Sequence, residues 1–368
     1  MGLSITELAS HVAALPPDIR QVSDRIFSVD EANGDLKLPE SMLPWVERQF
    51  GSVDNIVRQR IVKVTNRITF ESSIFNPLRA LRPHRFLHKG QARPGNLSEN
   101  NNGDFTDPLH NTPEDLFGRV KGKYCITAGN VAKYEGLHGV IVFDDPDPLK
   151  YGCSQVADYL ETGWRWAQQA HAYDPAALYF LFLWNCNFRA GASIPHGHAQ
   201  VVLGRHAHYG KVEQLRLAAS AYRDQYKSDY FDDLFRVHEA LGLGLQRGEA
   251  RILAYLAAIK LNEVMLMTPA LTDSLKENAY HVLACFRDRL NVTAFNAGIV
   301  FPPLDELTGW EGFPVIARMV DRGDINDMSS DIAAMEFYGA NVVSSDPFQT
   351  AEALFQHIKS DKKHEKSS

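Results

Sequence analysis

Residues 189–200 read RAGASIPHGHAQ, and the fold depends on how the last five of them are read. Two histidines and a glutamine stand at every second position, with glycine and alanine between them. Successive side chains of an extended chain point to opposite faces, so His196, His198 and Gln200 are predicted to project together while Gly197 and Ala199 leave the other face nearly bare. Pro195 fixes its own φ and biases Ile194 toward an extended conformation, which holds Ser193 just upstream. The small residues of RAGAS, Gly191 and Ala192 among them, would let backbone amides approach an anion closely. On this reading a phosphate-holding loop leads directly into an imidazole. A neutral imidazole is a competent nucleophile toward phosphorus, and the phosphoramidate it forms is itself reactive, so one hard substitution divides into two easier ones. Gln200 has no proton to exchange near neutral pH, but its amide can hydrogen-bond a phosphoryl oxygen.

Two other readings of these residues stay open. Alternating histidines also form metal sites, and a second pair, His206 and His208 in RHAHYG, follows closely, although no acidic or cysteine ligand is near in sequence. The histidines could equally be satisfied by hydrogen bonds on a half-buried strand, a reading that the surrounding serine, glycines and glutamine disfavour.

Composition narrows the class of partner. A chain of 368 residues exceeds one average domain, and with 45% hydrophobic residues it can bury a large core. The formal charge of −7 argues against nucleic acid or an anionic membrane as the main partner, which leaves a small ligand. No apolar run is long enough to span a bilayer, and MGLSITELAS lacks the basic start and apolar run of a secretion signal, so a cytoplasmic location is expected. Cys125, Cys153, Cys186 and Cys285 lie far apart with no CxxC pair, as suits free buried thiols in a reducing compartment. Neither a metal nor a cofactor is expected.

Periodicity divides the chain into five parts. Residues 1–65 read as a helical region, with apolar residues at helical intervals in DIRQVSDRIF and MLPWVERQF. Residues 66–210 form a first lobe that ends on HGHAQ, 211–245 are connecting helices, 246–350 form a second lobe, and 351–368 are a helix end and a solvated tail. GQARPGNLSENNNGDFTDP reads as a long loop. Within the first lobe, KYCITAGN and LHGVIVFDD make a hairpin, a helix from about Gln155 to His171 turns Val156, Tyr159, Leu160, Gly163, Ala167 and Ala170 to one side, and LYFLFLWNCN is a buried strand. RILAYLAAI, EVMLMT, a helix from about Asp273, FNAGIVF and FPVIARMV repeat that order without an HxH, which marks a duplicated fold.

Asn185, Gly191 and Ser193 followed by HGHAQ resemble the galactose-1-phosphate uridylyltransferase branch of the histidine-triad (HIT) superfamily, which also holds nucleoside-diphosphate-sugar and diadenosine-tetraphosphate phosphorylases. The branch pattern is an Asn, then a Gly and Ser, then H-P-H-G-Q, and FNPLRALRP is similar to its arginine-bearing N-terminal segment. The resemblance implies an α+β, HIT-like fold with two related lobes, each a twisted, mostly antiparallel sheet with helices on one face. It implies that His198 is the nucleophile, that His196 is its neighbour, and that Ser193 and Gln200 contact the α-phosphate. Asn185 and the Gly191–Ala192 amides line that site by the same match. Arg79 and Arg82 would face the phosphates, and Asn130 the base and ribose. The implied substrates are a nucleoside-diphosphate sugar or dinucleoside polyphosphate as donor and phosphate or a sugar phosphate as acceptor, and a homodimer is compatible with them. The branch's CxxC zinc ligands are absent, so no metal is carried over, and Gly129 stands where the branch has a polar base contact. The alternatives are a HIT-type nucleotide hydrolase, a metal-dependent hydrolase using the HxH pair, and a non-catalytic nucleotide-binding protein. Arg318, Asp321 and Arg322 in ARMVDRG are further candidates for a second substrate.

Overall fold

A computed structural model describes residues 3–83, 105–327, 332 and 334–365. The N-terminal part holds α1 (Leu8–Ala13), α2 (Pro17–Ile26), β1 (Phe27–Asp35), α3 (Leu43–Phe50), α4 (Val53–Val57), β2 (Arg58–Asn66) and β3 (Ser72–Phe75). After the short α5 (Pro108–Asn111), the first repeat comprises β4 (Cys125–Gly129), β5 (Leu137–Phe143), α6 (Cys153–Tyr173), β6 (Ala177–Cys186) and β7 (His198–Arg205). Connecting helices α7 (Gly210–Tyr226) and α8 (Tyr230–Ala240) lead to β8 (Gly244–Arg247). The second repeat is β9 (Ala250–Ala254), β10 (Leu261–Thr268), α9 (Asp273–Asp288), β11 (Phe295–Val300) and β12 (Val315–Asp321), followed by β13 (Ala340–Val343) and α10 (Pro347–Glu365).

The two repeats build one nine-stranded sheet in the order β4-β5-β7-β6-β11-β12-β10-β9-β8. Read outward from the central β6–β11 pair, each repeat lays down its strands in the same sequence, so the halves are related by an approximate twofold. This bears out the duplicated α+β architecture, with the half-sheets joined edge to edge. Strand alternation then sorts the side chains. One face carries Ile141, Phe143, Phe182, Trp184, Ala199, Val201, Leu266 and Ala317, all buried in the core beneath α6 and α9. Helix α6 buries Val156, Tyr159, Leu160, Gly163, Ala167 and Ala170 as its periodicity predicts. Gly163 brings the helix close, since a Cβ there would stand 3.0 Å from Phe182 and 3.2 Å from Ile141.

The opposite face is covered differently over its two halves. A second sheet, β1-β2-β3-β13, and helices α7 and α8 pack over the β12-β10-β9 half, where Val62, Val64 and Phe75 meet Tyr255, Met265 and Ile316. Asn66 fastens this layer by donating to the hydroxyls of Tyr230 at 2.7 Å and Tyr255 at 3.0 Å. Over the β5-β7 half, the same face presents His198 and Gln200, opposite Val142 and Val140.

Four expectations need correction. Residues 1–65 are not helical throughout, because β1 and β2 pair along nine residues. SVDEANGD is an edge strand whose side chains are mostly solvated, so it carries no apolar alternation to reveal it. Strand β3 falls within residues 66–210 but belongs to this small sheet and not to the first lobe, pairing in parallel with β13 from the far end of the second lobe. The tail KSDKKHE continues α10 as far as Glu365. Most of the Gly- and Asn-rich loop, and residues 366–368, lie outside the described residues. None of the four cysteines forms a disulfide with another, and Cys153 is exposed where burial was expected.

Trp184 touches Phe143, Tyr151 and Tyr159 of the first repeat and Phe295 of the second. Trp184→Ala is therefore expected to lower stability by about 3–5 kcal/mol and leave one cooperative unfolding transition. Guanidinium denaturation followed by circular dichroism checks this, and two resolved transitions would show that the halves are separate folding units.

Candidate active site

His198 is the first residue of β7, and its ring is 7% exposed. Its Nδ1 lies 2.8 Å from the carbonyl oxygen of His196. A carbonyl only accepts, so Nδ1 carries the proton and Nε2 keeps its lone pair. Burial holds the imidazole pKa below its ordinary value, the carbonyl contact opposing that shift. The ring is neutral near pH 7 and presents one nucleophilic nitrogen. Phe105 stands edge-on to it, with centroids 5.4 Å apart, and also meets the His196 ring at 6.0 Å.

His196 departs from the predicted alternation. It precedes the strand, and its Nε2 donates to the Phe143 carbonyl at the end of β5, at 2.8 Å. The cause is the turn at Gly197, whose N–H donates to Pro146 O at 2.9 Å while its own carbonyl accepts from Phe143 N at 3.0 Å. A Cβ on Gly197 would sit 2.9 Å from the Phe143 ring and 3.0 Å from Asp145 O, so this close approach requires glycine. His196 thus supplies the carbonyl that orients His198, and its ring locks that carbonyl in place.

Gln200 follows on the His198 face and is held by groups the sequence reading passed over. Its Oε1 accepts from Tyr134 Oη at 3.2 Å and lies 3.0 Å from His138 Nε2. That nitrogen is also 3.0 Å from Asn130 Nδ2, and Asn130 Oδ1 is itself engaged by the Ala132 N–H at 2.9 Å. His138 Nε2 donates to Gln200 when it carries the proton and accepts from Asn130 when it does not. With its oxygen occupied, what Gln200 has left to offer a ligand is its two amide hydrogens. His138 is fully buried, and burial lowers its pKa against the opposing Gln200 contact. The available signal was its parity in LHGVIVF, where it shares a face with Val140 and Val142.

The loop between β6 and β7 corrects a second expectation. Asn187 opens it at φ 69°, ψ 162°, a region that strains any residue but glycine, and its Nδ2 is tied to Thr293 O at 2.6 Å. The N–H groups of Ala190 and Ala192 both donate to Asn187 O, and that of Gly191 to Phe188 O. The Ala190, Gly191 and Ala192 amides therefore close the loop on itself and are not aimed at an anion. Ser193, beside them, is exposed. Asn185, on the sheet face below, accepts from Asn296 Nδ2 at 2.7 Å, and the same amide donates to Ala190 O at 2.7 Å. Arg322 Nη1 donates to Asn296 Oδ1 and extends the chain outward.

Arg79 and Arg82 lie beyond this loop. They line a cleft of about 270 Å³ with Arg189, Lys260 and Arg322, faced by Asp321, Asp327 and Glu336. The structure joins them to the His198 group through the loop and the Asn185–Asn296–Arg322 chain, not by placing them against the imidazole. Arg189 is spent on structure, donating to Arg322 O at 3.0 Å and Asp327 O at 2.8 Å. Arg318 is held by Glu71 and Glu263 under the small sheet, so of the ARMVDRG residues Arg322 and Asp321 reach the cleft. His206 and His208 do not converge, because His206 is exposed at φ 65° while His208 is buried, its pKa pushed down to about 4 by burial.

No protein-family model and no curated protein matches the sequence. Solved structures do match the fold. An ADP-glucose phosphorylase from Arabidopsis thaliana with bound ADP-glucose superposes with a TM-score of 0.60 at 17% identity, over 78% of this chain and 95% of that one. A GalT-like protein from the same plant gives 0.59 at 15% identity, over 79% and 97%. A uridylyltransferase gives 0.57 at 15% identity, over 80% and 98%. The chain shares the fold of these proteins.

A buried ring anchored in this way should titrate on the acid side of the ordinary imidazole value of about 6.5. A pH series of the His198 Cε1–H resonance is expected to show a midpoint below that value, and a midpoint at or above it would remove the argument for a neutral ring.

Proposed function

We propose that the protein is a nucleotidyltransferase or nucleotide phosphorylase that moves a nucleoside monophosphate through a covalent nucleotidyl-histidine at His198. The observation that carries this reading is the His198 imidazole, tied by Nδ1 to the His196 carbonyl with Nε2 left as the lone-pair nitrogen. The donor is a nucleoside-diphosphate sugar or a dinucleoside polyphosphate. Nε2 attacks its α-phosphorus, forming a P–N bond as the bond to the bridging oxygen breaks, and the leaving phosphate departs with that electron pair. In the second step an oxygen of phosphate or a sugar phosphate attacks the same phosphorus, and the P–N electron pair returns to Nε2. Gln200 and Ser193 donate to the non-bridging oxygens, and Asn130 serves the base and ribose end. The cleft bearing Arg79 and Arg82 suits the part of donor or acceptor that carries the remaining negative charge. The likeness to an ADP-glucose phosphorylase and a uridylyltransferase supports this class of reaction. Gln200 favours transfer over hydrolysis, since an amide held at its oxygen neither activates water nor protonates a leaving group.

His198→Asn is expected to reduce turnover by roughly 10,000-fold or more. Wild-type protein mixed with its donor and quenched in alkali should gain the mass of one nucleoside monophosphate on the peptide carrying His198. Exchange of donor with labelled phosphate or sugar phosphate should outrun release of free monophosphate and give parallel double-reciprocal lines. Monophosphate released at full rate without an acceptor would make the protein a hydrolase, and an active His198→Asn variant would end the covalent reading.

A further inference from the structure

On the helical side of the sheet, away from His198, α9 and α10 bring three potential ligands together. His281 lies on α9, and His357 and Asp361 occupy successive turns of α10 four residues apart, so both project from one face toward α9. One ligand atom from each falls within 4.8 Å of the other two. His281 is 3% exposed, and its Nδ1 is 3.4 Å from Asp361 Oδ2 while its Nε2 is 3.6 Å from Glu277 Oε1. Both separations exceed an ordinary hydrogen bond, and among the described residues neither ring nitrogen has a hydrogen-bond partner; His357 Nε2 is likewise buried without one. An imidazole sealed between two helices with both nitrogens unmet is costly unless something else occupies the gap.

We propose that His281, His357 and Asp361 bind one Zn²⁺ ion that staples α10 to α9, with water in the fourth position. The geometry suits that ion. Tetrahedral ligands at 2.0–2.1 Å from zinc stand about 3.3 Å apart, close to the His281–Asp361 separation, and rotation of the His357 side chain closes the remaining gap. Glu277, held by Arg247, sits behind the second nitrogen of His281, the place of the carboxylate that orients a metal-bound histidine. Burial lowers the pKa of both histidines, so they offer neutral nitrogens near pH 7. Two imidazoles and one carboxylate select zinc over the hard cations Mg²⁺ and Ca²⁺, which take oxygen ligands. The site is independent of the proposed chemistry and stabilises the fold whatever the reaction at His198.

The test uses the full chain without a histidine tag, stripped by a chelator and titrated with ZnCl₂ by calorimetry. One equivalent should bind and raise the melting temperature, while Mg²⁺ and Ca²⁺ leave it unchanged. His281→Ala and Asp361→Asn should each weaken zinc binding by more than about 10-fold. Asp361 is half-exposed, so its variant keeps the test intact if His281→Ala does not fold. Absence of binding, or zinc affinity that the folded variants retain within about 10-fold, would overturn the site.

Discussion

The pairing of β6 with β11 is the constraint on which the rest of the structure depends. It sets Asn185 against Asn296 and Trp184 against Ala297 in one ladder, fixing which residues of both repeats face the helices and which face the site. A slip of one residue would exchange the two sets, sending Trp184 to the polar face and Asn185 into the core beneath α6 and α9. The large apolar side chains on the helical face, Phe182, Trp184, Phe295 and Ile299, hold that register. Asn296 is then positioned to bind Asn185, the Ala190 carbonyl and Arg322 together, which couples the second repeat to the loop before His198. The second repeat lacks an HxH, yet through Asn296, Arg322 and Lys260 it supplies the loop's anchor and part of the basic cleft.

What could be read from the sequence follows from what burial does to composition. Strands rich in bulky apolar residues, such as LYFLFLWNCN, and the amphipathic α6 and α9 announce themselves because packing constrains most of their positions. Strand β1 does not, because its exposed side chains answer to solubility rather than to a core. The duplication was legible in element order, whereas the fusion of both halves into one sheet depends on the β6–β11 edge, which leaves no local signal. In the site, His198 and Gln200 followed from period-two spacing and the family pattern. His196 fell off that spacing because the chain turns at Gly197. His138 was missed because its role arises from register across two strands, and the His281–His357–Asp361 cluster because its members lie on helices far apart in sequence.

Charge follows the same logic of local arrangement against overall composition. A chain with a formal charge of −7 repels anions at long range, so an anionic ligand must be drawn in by a local surplus. The cleft beyond the loop sets five cationic side chains against three carboxylates. Arg318, which the sequence also offered, is removed from that account by Glu71 and Glu263; it closes the buried junction between the two sheets.

The arrangement of the two histidines suits a nucleophile that begins neutral and becomes charged. In the proposed reaction, positive charge would develop on the ring as Nε2 of His198 bonds to phosphorus, and the hydrogen bond from Nδ1 to the His196 carbonyl would strengthen because its donor becomes cationic. That carbonyl cannot swing away, since the His196 ring is bound to Phe143 O and Gly197 is wedged between Phe143 and Asp145. On that proposal the stabilisation would be greater in the transition state than in the resting ring, with the acceptor already oriented before reaction. Burial alone would favour the neutral ring and oppose the charged intermediate. In the proposed reaction the fixed carbonyl would offset this, and among the described residues it is that backbone oxygen, not a carboxylate, to which His198 Nδ1 is bonded.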